Sequence, residues 1–256
     1  MELFDTHCHL DVEDFDPDRE AVLADTRAAG VRHLLVPAIT RRAWPRVWEL
    51  CAGDPHLYPA IGLHPVMLDQ HGSADTAALE QYVSAHRPVA IGEIGLDYFV
   101  RELDRQRQQV ILEEQLAVAE THCLPVVLHV RKAHDPMLQT LRRYKLAGGI
   151  CHAFNGSLQQ ADQYLGLGFK LGFGGMLTYP NASRLHTLAR QLPLGAMVLE
   201  TDAPDMTGVV HRYQRNSPAY LPEVLHKLGE LRATEPEQIA AETTRNAFEA
   251  LRLDDR

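Results

Sequence analysis

The chain has 256 residues, of which 45% are hydrophobic and 23% are charged, and its formal net charge at pH 7 is -9. This length allows a full hydrophobic core, either in one barrel-sized domain or in two smaller domains. An acidic chain without a block of lysines and arginines is not expected to wrap a long stretch of nucleic acid, although bound cations and a few basic side chains can still hold a small anionic group.

The N-terminal residues and the cysteines indicate the compartment. The chain begins without the basic and apolar segments of a signal peptide, and no apolar run is long enough to span a membrane. We therefore expect a cytoplasmic protein with no membrane partner. The four cysteines are far apart and form no Cys-x-x-Cys pair, so we expect reduced, mostly buried thiols: Cys8, Cys51, Cys123 and Cys151.

The first apolar run ends in Asp5-Thr6-His7-Cys8-His9. Because side chains alternate along a strand, we expect His7 and His9 on one face and Cys8 on the other. Two imidazoles on the same face can bind one divalent ion. Such pairs also occur as solvated or hydrogen-bonded histidines. The metal hypothesis therefore depends on the rest of the chain.

Eight short apolar and β-branched runs recur along the chain, and the gaps leave room for one helix each. The predicted strands are residues 3–9, 33–38, 58–64, 89–94, 126–130, 149–153, 170–173 and 197–201. Helical patterns occupy the gaps, for example at residues 18–29, 104–122 and 159–165, and residues 218–253 contain the patterns of the last helices. This alternation predicts βαβ units with parallel strands.

Eight such units in this length fit a closed (β/α)8 TIM barrel better than an open sheet. No linker divides the chain, so we predict a single α/β domain over residues 1–256. The strands of a barrel point their C-terminal ends to one face. Imidazole and carboxylate residues end six of the predicted strands, namely His7 and His9, His64, Glu93, His129, His152 and Asp202.

Three of the carboxylates, Glu93, Glu200 and Asp202, follow apolar stretches. An unpaired buried carboxylate is costly, so these groups require a nearby cation or several hydrogen-bond donors. A metal centre would supply the cation. Cys8 and Cys151 adjoin metal-site histidines, but strand alternation turns both thiols away from such a centre.

Over nearly the whole chain these motifs resemble the TatD-type metal-dependent deoxyribonucleases of the amidohydrolase superfamily, most closely their YjjV-like branch. The ordered set of motifs is highly specific. The resemblance is carried by Phe4-Asp5-Thr6-His7-Cys8-His9, Ile61-Gly62-Leu63-His64-Pro65, Gly92-Glu93-Ile94-Gly95-Leu96-Asp97, Leu128-His129 with Arg131, His152-Ala153-Phe154-Asn155-Gly156-Ser157 and Leu199-Glu200-Thr201-Asp202-Ala203-Pro204.

The resemblance implies a TIM barrel with two divalent metal ions. It assigns His7 and His9 to one ion, His129 and His152 to the other, Glu93 as the bridge between them, and Asp202 to a place beside the first ion. Related barrels often use a carboxylated lysine as the bridge, whereas this chain already has a carboxylate there. Mixed imidazole and carboxylate ligands accept Mg²⁺, Mn²⁺, Zn²⁺ or Ni²⁺, so the sequence leaves the metal open.

The resemblance also assigns substrate contacts to His64 and Arg131, which would meet a phosphate group. A guanidinium suits bidentate phosphate binding, and an ordinary salt bridge with Asp97 or Glu200 is the alternative for Arg131. Asp202 is the expected acceptor of the proton of the attacking water. A purely metal-binding role is its alternative.

Several further residues are weaker candidates. Asn155, Tyr179 and Asp205 are placed at the substrate mouth, and Asp205 stands where much of the family has an aromatic residue, which weakens the expectation of base stacking there. The glycines at 166–168 and 172–175 match no phosphate-binding loop. We assign them to turns around the seventh strand.

The predicted function is hydrolysis of phosphodiester bonds by metal-activated water. We expect a monomeric deoxyribonuclease, exonuclease-like in action, whose substrate is DNA at short or single-stranded ends. Barrel and ligands do not determine the substrate. The alternatives are a small-molecule or aminoacyl-ester hydrolase on the same metal-binding barrel, and a metal-dependent binding protein without catalysis.

Overall fold

A single sheet of parallel strands forms the centre of the protein. The computed structural model describes residues 2–72 and 74–253. The eight strands of the sheet follow one another in chain order. They are β1 (Leu3–Asp5), β2 (Val31–Pro37), β3 (Leu57–Ile61), β4 (Ala90–Asp97), β5 (Val126–Arg131), β6 (Gly149–Cys151), β7 (Phe169–Phe173) and β8 (Met197–Leu199).

Helices connect the strands and follow the last one. They are α1 (Arg19–Ala28), α2 (Trp44–Ala52), α3 (Asp75–His86), α4 (Arg105–His122), α5 (His134–Leu141), α6 (Leu158–Gly166), α7 (Ser183–Gln191), α8 (Leu221–Arg232) and α9 (Pro236–Leu251). The helices predicted at residues 18–29, 104–122 and 159–165 are α1, α4 and α6. Side chains cap two of their N-termini, since Asp104 accepts hydrogen bonds at the start of α4 and Ser157 forms a capping box with Gln160 at the start of α6.

Backbone hydrogen bonds beyond the ends of β1 and β8 close the sheet into a barrel. The amide of Thr6 donates to the carbonyl of Leu199 at 3.0 Å, and the amide of Asp202 donates to the carbonyl of His7 at 2.8 Å. These bonds confirm the predicted TIM barrel. The predicted strand runs to residue 9, whereas the regular strand ends at Asp5 and an isolated bridge pairs Cys8 with Ala203.

The barrel interior below the strand ends is apolar. Val127 lies two residues before His129 in β5, so both side chains share the inner face. The cluster around Val127 contains Phe4, Leu35, Ala60, Val89, Ala90, Ile150 and Val198, together with Ala247, Ala250 and Leu251 of α9. Helix α9 therefore covers the lower, N-terminal end of the barrel, opposite the rim formed by the C-terminal strand ends.

In the ranges 2–72 and 74–253, no helix combines the length and the apolar character that crossing a bilayer requires.

Candidate metal centre

The ends of six strands bring seven ionisable side chains together at the C-terminal rim of the barrel. We call this set the rim cluster; it consists of His7, His9, His64, Glu93, His129, His152 and Asp202. All the predicted metal ligands and one predicted substrate contact thus lie together. A cavity of about 860 Å³ opens above the cluster, and all of its members except the fully buried His7 line it.

Three possible ligand atoms lie within 3.8 Å of Nε2 of His7. Nε2 of His7 lies 3.3 Å from Nε2 of His9 and 3.1 Å from Oε2 of Glu93. Oδ1 of Asp202 lies 3.8 Å from Nε2 of His7 and 3.5 Å from Nε2 of His9, which is itself 3.6 Å from Oε2 of Glu93. Ligands tetrahedrally arranged at zinc-like bond lengths are about 3.4 Å apart. The donor set and its spacing therefore fit a divalent metal ion.

The second carboxylate oxygen of Glu93 belongs to another group. Oε1 of Glu93 lies 3.0 Å from Nδ1 of His129 and 3.4 Å from Nε2 of His64. Glu93, which is only 2% exposed, therefore directs one oxygen to His7 and His9 and the other to His64 and His129. A carboxylate in this position can contact two cations at once.

His152 lies between these groups and the end of β8. Its ring stacks on that of His7 with centroids 3.7 Å apart, and its Nε2 lies 3.5 Å from Oδ2 of Asp202. Its Nδ1 lies 3.0 Å from Oε1 of Glu200, which also accepts a hydrogen bond from the amide of Ala153. Ligand atoms of His7, Glu93 and His152 all lie within 4.8 Å of one another. The division of these ligands between two ions stays a prediction.

Two further ring nitrogens of the rim cluster have partners in the protein. Nδ1 of His9 lies 3.1 Å from the carbonyl oxygen of Pro37, and Nε2 of His129 lies 2.9 Å from Oδ2 of Asp97. Such partners fix the tautomer and orientation of a metal-binding imidazole. From the sequence, Asp97 is expected only as an alternative salt-bridge partner of Arg131. Asp97 lies four residues after Glu93, on the same face of the strand, and this spacing is the sequence feature that could have predicted its position.

Asp5 is a second residue whose position the sequence did not indicate. Its fully buried carboxylate accepts hydrogen bonds from the amide and hydroxyl of Thr201 at 2.9 and 2.5 Å, and from the amide of His7 at 3.2 Å. Burial raises the pKa of Asp5 to about 7. Asp5 therefore joins the segment that carries His7 to the segment that carries Asp202.

Gly172 lies inside β7, so its assignment to a turn is wrong. A Cβ atom at this position would lie 2.1 Å from Oε2 of Glu200. Gly172 is therefore needed because the Glu200 carboxylate occupies the space of a side chain. Gly174 and Gly175 lie after β7, and Gly175 begins a short 3-10 helix rather than a turn.

The charges of the rim cluster are strongly coupled. Burial opposes ionisation of the carboxylates, but nearby histidines outweigh it, so the pKa of Glu93 falls well below its usual value and that of Asp202 falls to about 2. Burial likewise opposes protonation of His129, yet hydrogen bonds to Asp97 and Glu93 raise its pKa to about 9. Glu200 and Asp202 raise the pKa of His152 in the same way. The carboxylates thus attract positive charge, and a metal ion would replace the protons on these imidazoles.

The predicted substrate residues lie around the cavity. Arg131 lines it and is exposed, and its guanidinium carbon lies 3.7 Å from the centre of the Phe99 ring. Within the described ranges Arg131 forms no salt bridge with Asp97 or Glu200, whose carboxylates contact His129 and His152 instead.

Of the weaker candidates, Asn155 and Asp205 line the cavity. The hydroxyl of Tyr179 donates to the carbonyl of Thr207 in the loop after β8. The expectation for the thiols is confirmed for Cys8, Cys51 and Cys151, which are buried, whereas Cys123 is exposed.

Comparison with known proteins gives a consistent result. Residues 4–252 match the family described as TatD related DNase. An uncharacterized metal-dependent hydrolase of Escherichia coli K12, YjjV, is 42% identical over 248 residues, which cover 95% of each chain. The crystal structure of the E. coli protein superposes with a TM-score of 0.93 and covers 97% of each chain.

A more distant relative has a name that describes an activity. The 3'-5' ssDNA/RNA exonuclease TatD of Salmonella typhimurium is 31% identical over 253 residues, which cover 96% of this chain and 97% of the relative.

Proposed function

The chain belongs to the TatD related DNase family and is a metal-dependent hydrolase, and from this premise we propose that it cleaves phosphodiester bonds in DNA, as an exonuclease on short or single-stranded ends. The substrate proposal is supported by the relative named as a 3'-5' ssDNA/RNA exonuclease. A cytoplasmic location, a monomeric state and a single domain over residues 1–256 are part of the same proposal.

The observation that carries the proposal is the position of Glu93 between two groups of histidines. Its oxygens lie 3.1 Å from His7 and 3.0 Å from His129. We assign His7, His9 and Asp202 to one divalent ion, His129 and His152 to a second, and Glu93 to both. Two ions held in this way would polarise a phosphodiester and lower the pKa of a water molecule.

The residues of the chain have separate tasks in this proposal. Asp202 is ionised at neutral pH because its pKa is about 2, and it orients the attacking water and accepts its proton. Its Oδ2 lies 3.5 Å from Nε2 of His152, which helps to hold the carboxylate in place. Arg131 donates to the phosphate from the cavity wall, and His64 faces the same space beside Glu93.

A second candidate function is hydrolysis of a small-molecule or aminoacyl ester. It is favoured by Asp14 and Asp205, two carboxylates that line the cavity. Carboxylates at that place would repel a phosphodiester and attract a substrate amine. The two candidate functions use the same metal centre but cleave different bonds, a phosphodiester in the first and a carboxyl ester in the second.

Side-by-side assays test the proposal. We expect the purified protein to shorten a single-stranded oligonucleotide with Mn²⁺ or Mg²⁺, to lose this activity in chelator, and to recover it when metal is restored. The same protein and metal are assayed with aminoacyl and other carboxyl esters. Ester cleavage without any oligonucleotide cleavage would replace the nuclease proposal by the second candidate.

A further inference from the structure

An exposed aromatic side chain contacts a residue that lines the cavity above the rim cluster. Phe99 lies in the loop between β4 and α4, and 53% of it is exposed. The Arg131 guanidinium covers part of its ring at 3.7 Å and itself lines the cavity. The neighbouring Tyr98 ring has a second guanidinium, that of Arg105, 4.5 Å from its centre. Two aromatic and basic pairs therefore stand together beside the rim cluster.

The loop that carries Phe99 is held in a defined position. Oδ1 of Asp97 accepts hydrogen bonds from the amides of Phe99 and Val100 at 2.9 and 3.1 Å. The other oxygen, Oδ2, contacts His129 of the rim cluster. The amide of Tyr98 also donates to the carbonyl of Arg131 at 2.8 Å. The backbone of this loop is thus tied to the rim cluster through the Asp97 carboxylate and to β5 through Arg131.

The charge around Phe99 differs from that of the whole chain. The segments 98–105 and 131–132 contain the basic residues Arg101, Arg105, Arg131 and Lys132 and the acidic residues Glu102 and Asp104. This net positive charge contrasts with the formal charge of -9 on the chain. Exposed aromatic rings combined with basic groups are typical of surfaces that bind single strands of nucleic acid.

We propose that Phe99 and Arg131 form a stacking platform for the base of a nucleotide adjacent to the phosphodiester in the cavity. This inference rests on the proposed function and adds the residues that select a nucleotide substrate. The guanidinium carbon of Arg131 lies 3.7 Å from the centre of the Phe99 ring. A guanidinium has five N–H donors, so a phosphate beside the ring can accept from it. Every base has a π-face, so the platform tolerates any sequence.

Two probes separate stacking from phosphate binding. One is a fluorescent single-stranded oligodeoxyadenylate, and the other is an oligonucleotide of the same length and charge that consists of abasic residues. Dissociation constants are measured by fluorescence anisotropy with chelator present, so binding is read without turnover. Michaelis constants for both oligonucleotides are then measured with Mn²⁺.

We expect Phe99→Ala to weaken binding of the oligodeoxyadenylate about tenfold, since it removes one stacked base. Binding of the abasic probe changes less than about twofold, and Phe99→Trp restores binding of the first probe. The matched control is Val110→Ala, because Val110 is 54% exposed on α4 but does not line the cavity. Phe99→Leu keeps the apolar packing without the ring and serves if Phe99→Ala fails to fold.

Two results would overturn the platform. Equal weakening of both probes would mean that Phe99 acts only by holding Arg131, and unchanged binding of both would mean that no base contacts the ring. Base-dependent binding without cleavage of either probe would instead contradict the proposed function and leave the platform intact.

Discussion

Buried histidines occur at both ends of the barrel, and their surroundings differ. At the lower end, His33 is 5% exposed, and its ring nitrogens lie 2.9 Å from the hydroxyl of Tyr58 and 2.6 Å from Oε1 of Glu2. At the rim, Nε2 of His7 lies near another imidazole and two carboxylates, while its Nδ1 has no hydrogen-bond partner among the described residues. The protein alone satisfies His33, whereas the rim cluster collects imidazole and carboxylate groups that could hold a metal ion. Burial alone therefore does not identify a functional histidine, whereas the groups that contact its ring nitrogens do.

The largest expected effect comes from removing the carboxylate shared by both halves of the rim cluster. Glu93→Ala should lower the turnover of a single-stranded oligonucleotide at least about 10³-fold, because charge stabilisation by the metal centre is worth several kcal/mol. Metal content should fall as well. Circular dichroism should show an intact fold, and His33→Gln is the control that should keep activity. Turnover near that of the wild type in Glu93→Ala would refute the bridging role.

The two ends should respond to pH in opposite directions in the metal-free protein. His129 has a folded-state pKa of about 9, above its unfolded value near 6.5, so its contribution is complete below pH 6.5 and is lost between pH 6.5 and 9. That contribution is up to about 3 kcal/mol. Burial lowers the pKa of His33, so His33 destabilises the protein as pH falls below 6.5.

Urea unfolding in chelator across this pH range measures both effects. His33→Gln should reduce only the loss of stability at acidic pH, and Asp97→Asn should reduce only the loss at alkaline pH. An Asp97→Asn protein that retains the full alkaline loss would show that the His129 pKa has another origin.

Metal binding should stabilise the rim and leave the lower end unaffected. A divalent ion at one hundred times its dissociation constant should add about 2.7 kcal/mol to the free energy of unfolding, which raises the melting temperature of a chain of this size by about 5–10 °C. Differential scanning calorimetry of chelated and Mn²⁺-loaded protein measures the shift. His9→Ala should reduce it, whereas His33→Gln should melt at a lower temperature and keep the full response to metal.

The smallest effect concerns the carboxylate that orients His129. In Asp97→Asn the remaining oxygen can still accept from the amides of Phe99 and Val100, but the amide nitrogen cannot accept from Nε2 of His129. Activity or metal affinity should therefore fall about 10- to 100-fold. A matched steady-state assay with Asp104→Asn, which changes an exposed carboxylate of the next helix cap, controls for loss of charge. Equal effects of the two variants would argue against an orienting role.

The same contrast explains how far the sequence alone could predict the molecule. Apolar runs and their spacing indicate all eight strands, and motifs at the strand ends indicate every member of the rim cluster. These are local features. The pairing of His129 with Asp97 and the space that Gly172 leaves for Glu200 depend on the relative positions of neighbouring strands, which alternation along one strand does not specify.

Strand lengths illustrate the same limit. A strand is predicted over residues 3–9, but the regular strand ends at Asp5. The hydrogen bonds beyond this residue join it to a segment almost two hundred residues later, which the local pattern does not indicate. The exposure of Phe99 was equally inaccessible, because it depends on a loop held by Asp97.

The seam between the first and last strands has a consequence for biosynthesis. The carbonyl of His7 accepts from the amide of Asp202, and the amide of His9 donates to the carbonyl of Ala203. The ligands that follow the first strand therefore reach their final positions only after the eighth strand has left the ribosome. Nascent chains that stop before this strand lack Asp202 and cannot assemble the complete centre.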